Sequence, residues 1–193
     1  MKILDVPYQN QEILEEKEEK DWCTLASLWM ILAFYLKDQV PPLEVLHQKY
    51  RKHLEGTNSF VEVGIEHRDL VKIARDYGLH GFRKSWFVHP GVQPIIDRFK
   101  YEGETDEDIQ KWDESNTEES LFSLERWINQ GIPVIISVNK GFSPSAKTHV
   151  VVLVGVEDDQ FIIHDPFKKG ANFKISKEEF KKYWLRQAII ISK

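Results

Sequence analysis

The hydrophobic and polar positions divide the chain into two unlike parts. Through the first two-thirds, apolar residues recur at helical spacing. Cys23–Lys37 is apolar on nearly every face, which predicts a central, buried helix with Asp21 as its N-cap. Pro41 and Pro42 separate it from a second helix, Leu43–Leu54, where Leu43, Leu46, Tyr50 and Leu54 form one stripe. Ile65–Tyr77 predicts a third helix capped by Gly78, and Leu121–Asn129 a fourth ended by Gly131. The last third changes period. Ile132–Val138, His149–Val156, Phe161–Asp165 and Ala188–Ile191 are rich in Val and Ile and predict four strands, with Asp158 and Asp159 turning between the middle two. The run from Ser176 to Glu179 reads as a capping box for a helix to about Leu185. Residues 3–8 suggest a short extended segment ending at Pro7. Helices gathered ahead of strands predict an α+β fold with a mostly antiparallel sheet.

Length adds that one domain, 1–193, is expected, and 41% hydrophobic residues suffice for a core. The formal charge of −5 offers no general attraction to nucleic acid or anionic membranes. That charge is unevenly spread. Residues 12–20 are strongly charged, and residues 102–119 hold nine acids against Lys111 alone. Both read as solvated surface, the second as an acidic insertion. The most apolar run, Leu25–Leu36, falls short of the roughly 20 residues a membrane span takes, so no span is expected. The N-terminus lacks the pattern of a signal peptide. One cysteine excludes an internal disulfide and a multi-cysteine zinc site, and a reducing cytoplasm is the expected setting.

Cys23 is the main candidate for chemistry. At the first turn of a helix, the leading backbone N–H groups and the helix dipole favour a thiolate, which is a good nucleophile. A small buried hydrophobe is the competing reading. His47, His53, His67, His80 and His89 show no metal-ligand spacing and read as ordinary surface residues. His149 differs, because it heads an apolar strand and so sits at a sheet rim. The next strand ends in Asp165, which an antiparallel hairpin carries back towards His149; a capping role before Pro166 is the alternative. A two-residue turn with unbroken pairing would set His149 across from Lys168 and aim Asp165 at the opposite face. A longer loop or a bulge is therefore expected. Gln11, twelve residues before Cys23, could supply an oxyanion donor beside the Cys23 N–H; Gln9 is the neighbouring candidate.

Together these segments resemble the papain-like cysteine peptidases, specifically the bacteriocin-processing, double-glycine-leader peptidase-like group. The opening DVPYQNQ resembles that group's VPY-x-x-Q segment, and DWCTLASLWMILAFY its nucleophile helix. GIPVIISV and HVVVLVGVEDDQFIIHDP resemble its base and orienting strands, and ISKEEFKKYW with AIII its closing helix and strand. The resemblance implies Cys23 as nucleophile, His149 as base, Asp165 as orienting acid and Gln11 as oxyanion donor. It implies a peptide or protein substrate, cleavage after small residues such as a Gly-Gly pair, and no cofactor or metal. A P-loop is absent, so a stand-alone form is expected, without coupling to transport. If the acidic segments flank the cleft, they would favour basic residues elsewhere in the peptide. A silent peptide-binding module and a thioester-forming acyl or peptidyl transferase are the other functions the same scaffold could carry.

Overall fold

The computed structural model describes residues 1–12, 22–54, 67–86, 117–144 and 147–193. The described helices are α1 (Cys23–Leu36), α2 (Leu43–Leu54), α3 (His67–Asp76), α4 (Thr117–Asn129) and α5 (Lys177–Tyr183). The strands are β1 (Lys2–Ile3), β2 (His80–Ser85), β3 (Val134–Asn139), β4 (Thr148–Glu157), β5 (Gln160–Asp165), β6 (Gly170–Ser176) and β7 (Trp184–Ser192). The strands form one sheet in the order β2-β7-β3-β4-β5-β6, with β1 added to β4. Every described pairing is antiparallel. The α+β expectation holds.

Helix α1 is the centre of the molecule, as its composition requires. Ten of its residues, from Cys23 to Ala33, are buried. It packs against β4, α2 and α3. A fully buried Leu or Ile contributes about 1.5–3 kcal/mol, so packing on all sides holds this helix and it needs no amphipathic face. Its N-cap is Trp22, which makes no side-chain cap bond; Asp21, expected there, lies outside the described residues. Gly78 and Gly131 close their helices as expected. Each takes a positive φ, which lets the next N–H reach back five residues: Leu79 to the Ala74 carbonyl at 3.1 Å, and Ile132 to that of Trp127 at 2.9 Å.

Several boundaries move. Helix α4 starts at Thr117, four residues early, so it takes in the end of the acidic run; residues 102–116 and the charged run after Glu12 lie outside the described residues. Ile65 and Glu66 do as well. Ser176 Oγ accepts the Glu179 N–H at 3.1 Å, which is the expected cap, but α5 ends at Tyr183 because Trp184 is already extended and opens β7. Of the extended segment expected over 3–8, only Ile3 belongs to a strand. Beyond it the chain leaves the ladder and runs on as a strap, with Leu4 N donating to the Val154 carbonyl at 2.8 Å.

The β4–β5 hairpin departs from regular pairing through a bulge, as expected. Glu157–Gln160, Val156–Phe161 and Gly155–Ile162 pair around the two-residue turn, and then the register shifts so that Leu153 faces Ile163 and Val152 faces His164. Val154 is the extra residue. One extra residue exchanges the faces of everything beyond it.

Candidate active site

His149 opens the buried part of β4, and Asp165 closes β5. With the Val154 bulge between them, both side chains point to the same side of the sheet. His149 Nε2 lies 2.7 Å from Asp165 Oδ1, and each residue is only 1% exposed, so the bond is shielded from water. The carboxylate also accepts the Phe167 N–H on Oδ1 at 2.9 Å and the Lys169 N–H on Oδ2 at 3.3 Å. Burial pushes Asp165 up, but the hydrogen bond and charge of His149 and the two backbone donors outweigh it and hold the carboxyl below its ordinary value. An ionised Asp165 only accepts, so His149 Nε2 carries the hydrogen and donates it. The other ring nitrogen, Nδ1, is buried and has no hydrogen-bond partner among the described residues. In the neutral ring it is therefore the basic one. Phe167 stands edge-on to the His149 ring, 6.3 Å between centroids, and the ammonium groups of Lys140 and Lys168 lie over Phe167 at 4.6 and 5.3 Å.

Cys23 is the first residue of α1, and it is buried. Ser27 Oγ, one turn further along the same side of the helix, donates to the Val150 carbonyl at 3.3 Å. Val150 follows His149, so this tie sets the first turn of α1 beside the head of β4. The first rung of the helix ladder is Ala26 N to the Trp22 carbonyl, which leaves the Cys23 N–H ahead of the ladder.

Gln11 reaches the same region from the other end of the chain. Its N–H donates to the Pro166 carbonyl at 2.8 Å, one residue beyond Asp165, and the residue is fully buried. Gln9 is half-buried, with Nε2 turned to the neighbouring Asn10 carbonyl at 2.9 Å. The structure thus draws Gln11, His149 and Asp165 around one turn.

Two neighbours, Tyr8 and His164, are not marked by the sequence reading. Tyr8 donates its hydroxyl to the Asp165 carbonyl at 3.0 Å. His164 Nε2 is 2.9 Å from the Val6 carbonyl, and His164 Nδ1 accepts the Asn172 N–H at 3.1 Å. A histidine inside the apolar strand FIIHD was the available signal. Two of the expected surface histidines are half-buried and engaged with neighbours. His67 Nε2 bonds Ser137 Oγ at 2.9 Å, and His47 packs edge-on against Trp22, 4.3 Å between centroids. His80 is exposed as expected, while His53 and His89 lie outside the residues whose side chains are described. Among the described residues, no group of three or more His, Cys, Asp or Glu side chains gathers as a metal site, and no helix is long and apolar enough to cross a membrane.

The model of the Peptidase_C39 like family matches residues 3–188. No curated protein matches the chain. Among solved structures, a C39-like peptidase from Bacillus anthracis superposes with a TM-score of 0.61 at 21% identity, covering 100% of this chain and 98% of the other. A double glycine motif protease from an AMS/PCAT transporter, in complex with the leader peptide, gives 0.55 at 23% identity, covering 99% and 94%. The peptidase domain of Streptococcus ComA, a bi-functional ABC transporter involved in quorum sensing, gives 0.53 at 19%, covering 100% and 98%.

Proposed function

From the premise that the chain belongs to the Peptidase_C39 like family, and is a cysteine-type peptidase, we propose that it hydrolyses peptide bonds after small residues through a thioester on Cys23. The observation that carries this reading is the shielded His149–Asp165 hydrogen bond, which leaves the basic Nδ1 of His149 directed away from the acid.

The chemistry follows from the tautomer. His149 Nδ1 takes the Cys23 thiol proton, and Sγ attacks the scissile carbonyl carbon. Gln11 and the Cys23 N–H stabilise the oxyanion. The imidazolium returns its proton to the leaving nitrogen as the C–N bond breaks, which leaves the acyl group on Sγ. Water then gives a proton to Nδ1 and attacks the thioester. Collapse releases the acid and restores the thiol. Throughout, Nε2 keeps its hydrogen and Asp165 stays ionised, fixing the ring and stabilising its charged form.

A Gly-Gly pair before the cut suits a narrow slot, since glycine adds no side chain and lets the backbone follow the slot. Such a motif is also the one named for the AMS/PCAT protease. The test is a digest of a peptide library containing Gly-Gly, Ala-Ala and bulky pairs, with cut sites located by mass spectrometry. Wild type is expected to cut after Gly-Gly, and Cys23→Ala and His149→Ala to be inactive. Frequent cuts after bulky pairs would reject the narrow slot; activity in Cys23→Ala would reject the thioester.

A further inference from the structure

Resting on the oxyanion role proposed for Gln11, we infer that His164 is a positioning residue that sets Gln11 by holding the N-terminal strap against β5. Between Leu4 and Gln11 the chain makes no strand pairing, so its course depends on individual bonds. His164 Nε2 takes the Val6 carbonyl at 2.9 Å. The Tyr8 ring stands edge-on to the His164 ring at 5.7 Å, and its hydroxyl takes the Asp165 carbonyl at 3.0 Å. Gln11 N then takes the Pro166 carbonyl at 2.8 Å. Three consecutive residues, His164, Asp165 and Pro166, thus receive three successive points of the strap.

His164 can hold its end in only one protonation state. Nδ1 accepts from Asn172 N, whose backbone takes a positive φ of 55° where the β5–β6 register shifts. Nε2 must then carry the ring's hydrogen and give it to Val6. Successive strand side chains alternate, so His164 grips the strap while Asp165 turns to His149. One strand therefore aligns the base and the oxyanion donor from adjacent positions. A strap loosened at Val6 and Tyr8 would shift Gln11 relative to the reacting carbonyl without touching the His149–Asp165 pair.

The variants separate the two ring nitrogens. In His164→Gln the amide NH₂ can replace Nε2 and keep the bond to Val6; in His164→Asn the shorter side chain replaces only Nδ1. On a cleavable Gly-Gly peptide, His164→Asn is expected to lower kcat by about 10- to 100-fold, the scale of a misplaced catalytic group, with KM little changed. His164→Gln should recover most of that loss. In a Gln11→Ala background the His164→Asn penalty should vanish, because the group it positions is gone. Alkylation of Cys23, which needs His149 and not the oxyanion site, should be unchanged throughout. A full His164→Asn penalty on top of Gln11→Ala, or equally slowed alkylation, would overturn the inference. If His164→Asn does not fold, a folded His164→Gln with kcat as low in the presence of Gln11 as without it would overturn it as well. Full activity in Gln11→Ala would instead remove the oxyanion reading beneath it, and a wild type that cuts no peptide would remove the peptidase reading.

Discussion

His149 and Asp165 face one another because Val154, between the paired residues Leu153 and Gly155, has no partner on β5. Without that extra residue, the two-residue turn would aim the carboxylate at the far side of the sheet. The pair is oriented more by backbone than by side chains, since two main-chain N–H groups hold Asp165 in place. Replacing Asp165 by Ala is expected to cut kcat/KM on the order of 10²–10⁴-fold by releasing the ring. Asp165→Asn should lose less. Its amide oxygen can occupy the Oδ1 position and keep the tautomer, and the NH₂ displaces only the longer bond to Lys169. Steady-state kinetics on both variants decide; an Asn variant as impaired as the Ala variant would mean that His149 needs the negative charge itself.

Cys23 should alkylate with iodoacetamide faster than a model thiol near pH 6–7, because its helix position and His149 both favour the thiolate. His149→Ala should slow the reaction. Equal rates in wild type and variant, followed by mass spectrometry, would mean that His149 does not favour the thiolate.

Turnover in Gln11→Ala is expected to fall roughly 10²–10³-fold, the usual cost of one oxyanion donor. Gln9→Ala should stay close to wild type, because the Gln9 amide is engaged with its neighbour's carbonyl. The reverse result would move the role to Gln9.

Stability should decline on mild acidification. Burial, aided by the charge of Arg83, pushes His67 down to about 4, and burial also lowers His164 against the opposing pull of its backbone bonds. Unfolded histidine titrates near 6.5, so below that pH the unfolded chain binds protons that the folded chain refuses. The stabilisation is complete above about pH 6.5 and is lost as pH falls towards about 4. Asp165 acts lower still: its contribution holds above the ordinary carboxylate value and disappears as pH falls through its own depressed one. Urea unfolding from pH 7.5 to 4.5 should show the first decline. His67→Gln, which keeps an amide within reach of Ser137, should flatten it; an unchanged slope in that variant would acquit His67.

Much of the fold was legible because the helices are set by apolar period and closed by glycine, both local features. Strands β2 and β6 were missed. Their sequences, HGFRKS and GANFKIS, are polar because each lies at an edge of the sheet, and their strand character comes from β7 and β5 beside them. At the site, Cys23 and His149 stand out by position, one opening a helix and the other an apolar strand. Tyr8 and His164 do not. Their partners are main-chain carbonyls 157 and 158 residues away in sequence, and a carbonyl has no letter in a sequence.

Gly155→Ala should destabilise the protein by about 1–3 kcal/mol, the usual range for overpacking. A methyl there would lie 2.9 Å from the Lys2 carbonyl oxygen, a backbone atom, with Ile162 and Ile3 at 3.2 Å. β1 must then lift away from β4, and the strap starts from β1. Activity should therefore fall further than the stability loss alone explains. A variant with a lower melting temperature but wild-type kcat would separate β1 from the site.

The pairing of the chain's first residues with its last third also has a consequence during synthesis. The carbonyl of Pro166 that accepts from Gln11, and the backbone N–H of Lys169 that donates to Asp165, leave the ribosome long after Cys23. Until then the helix bearing the thiol has neither its proposed base nor the strap anchor, and long-range contacts of this kind form late. A nascent chain that stops short of these residues thus carries Cys23 without the partners proposed for it, and the proposed cleavage waits until residues 149–169 have been made.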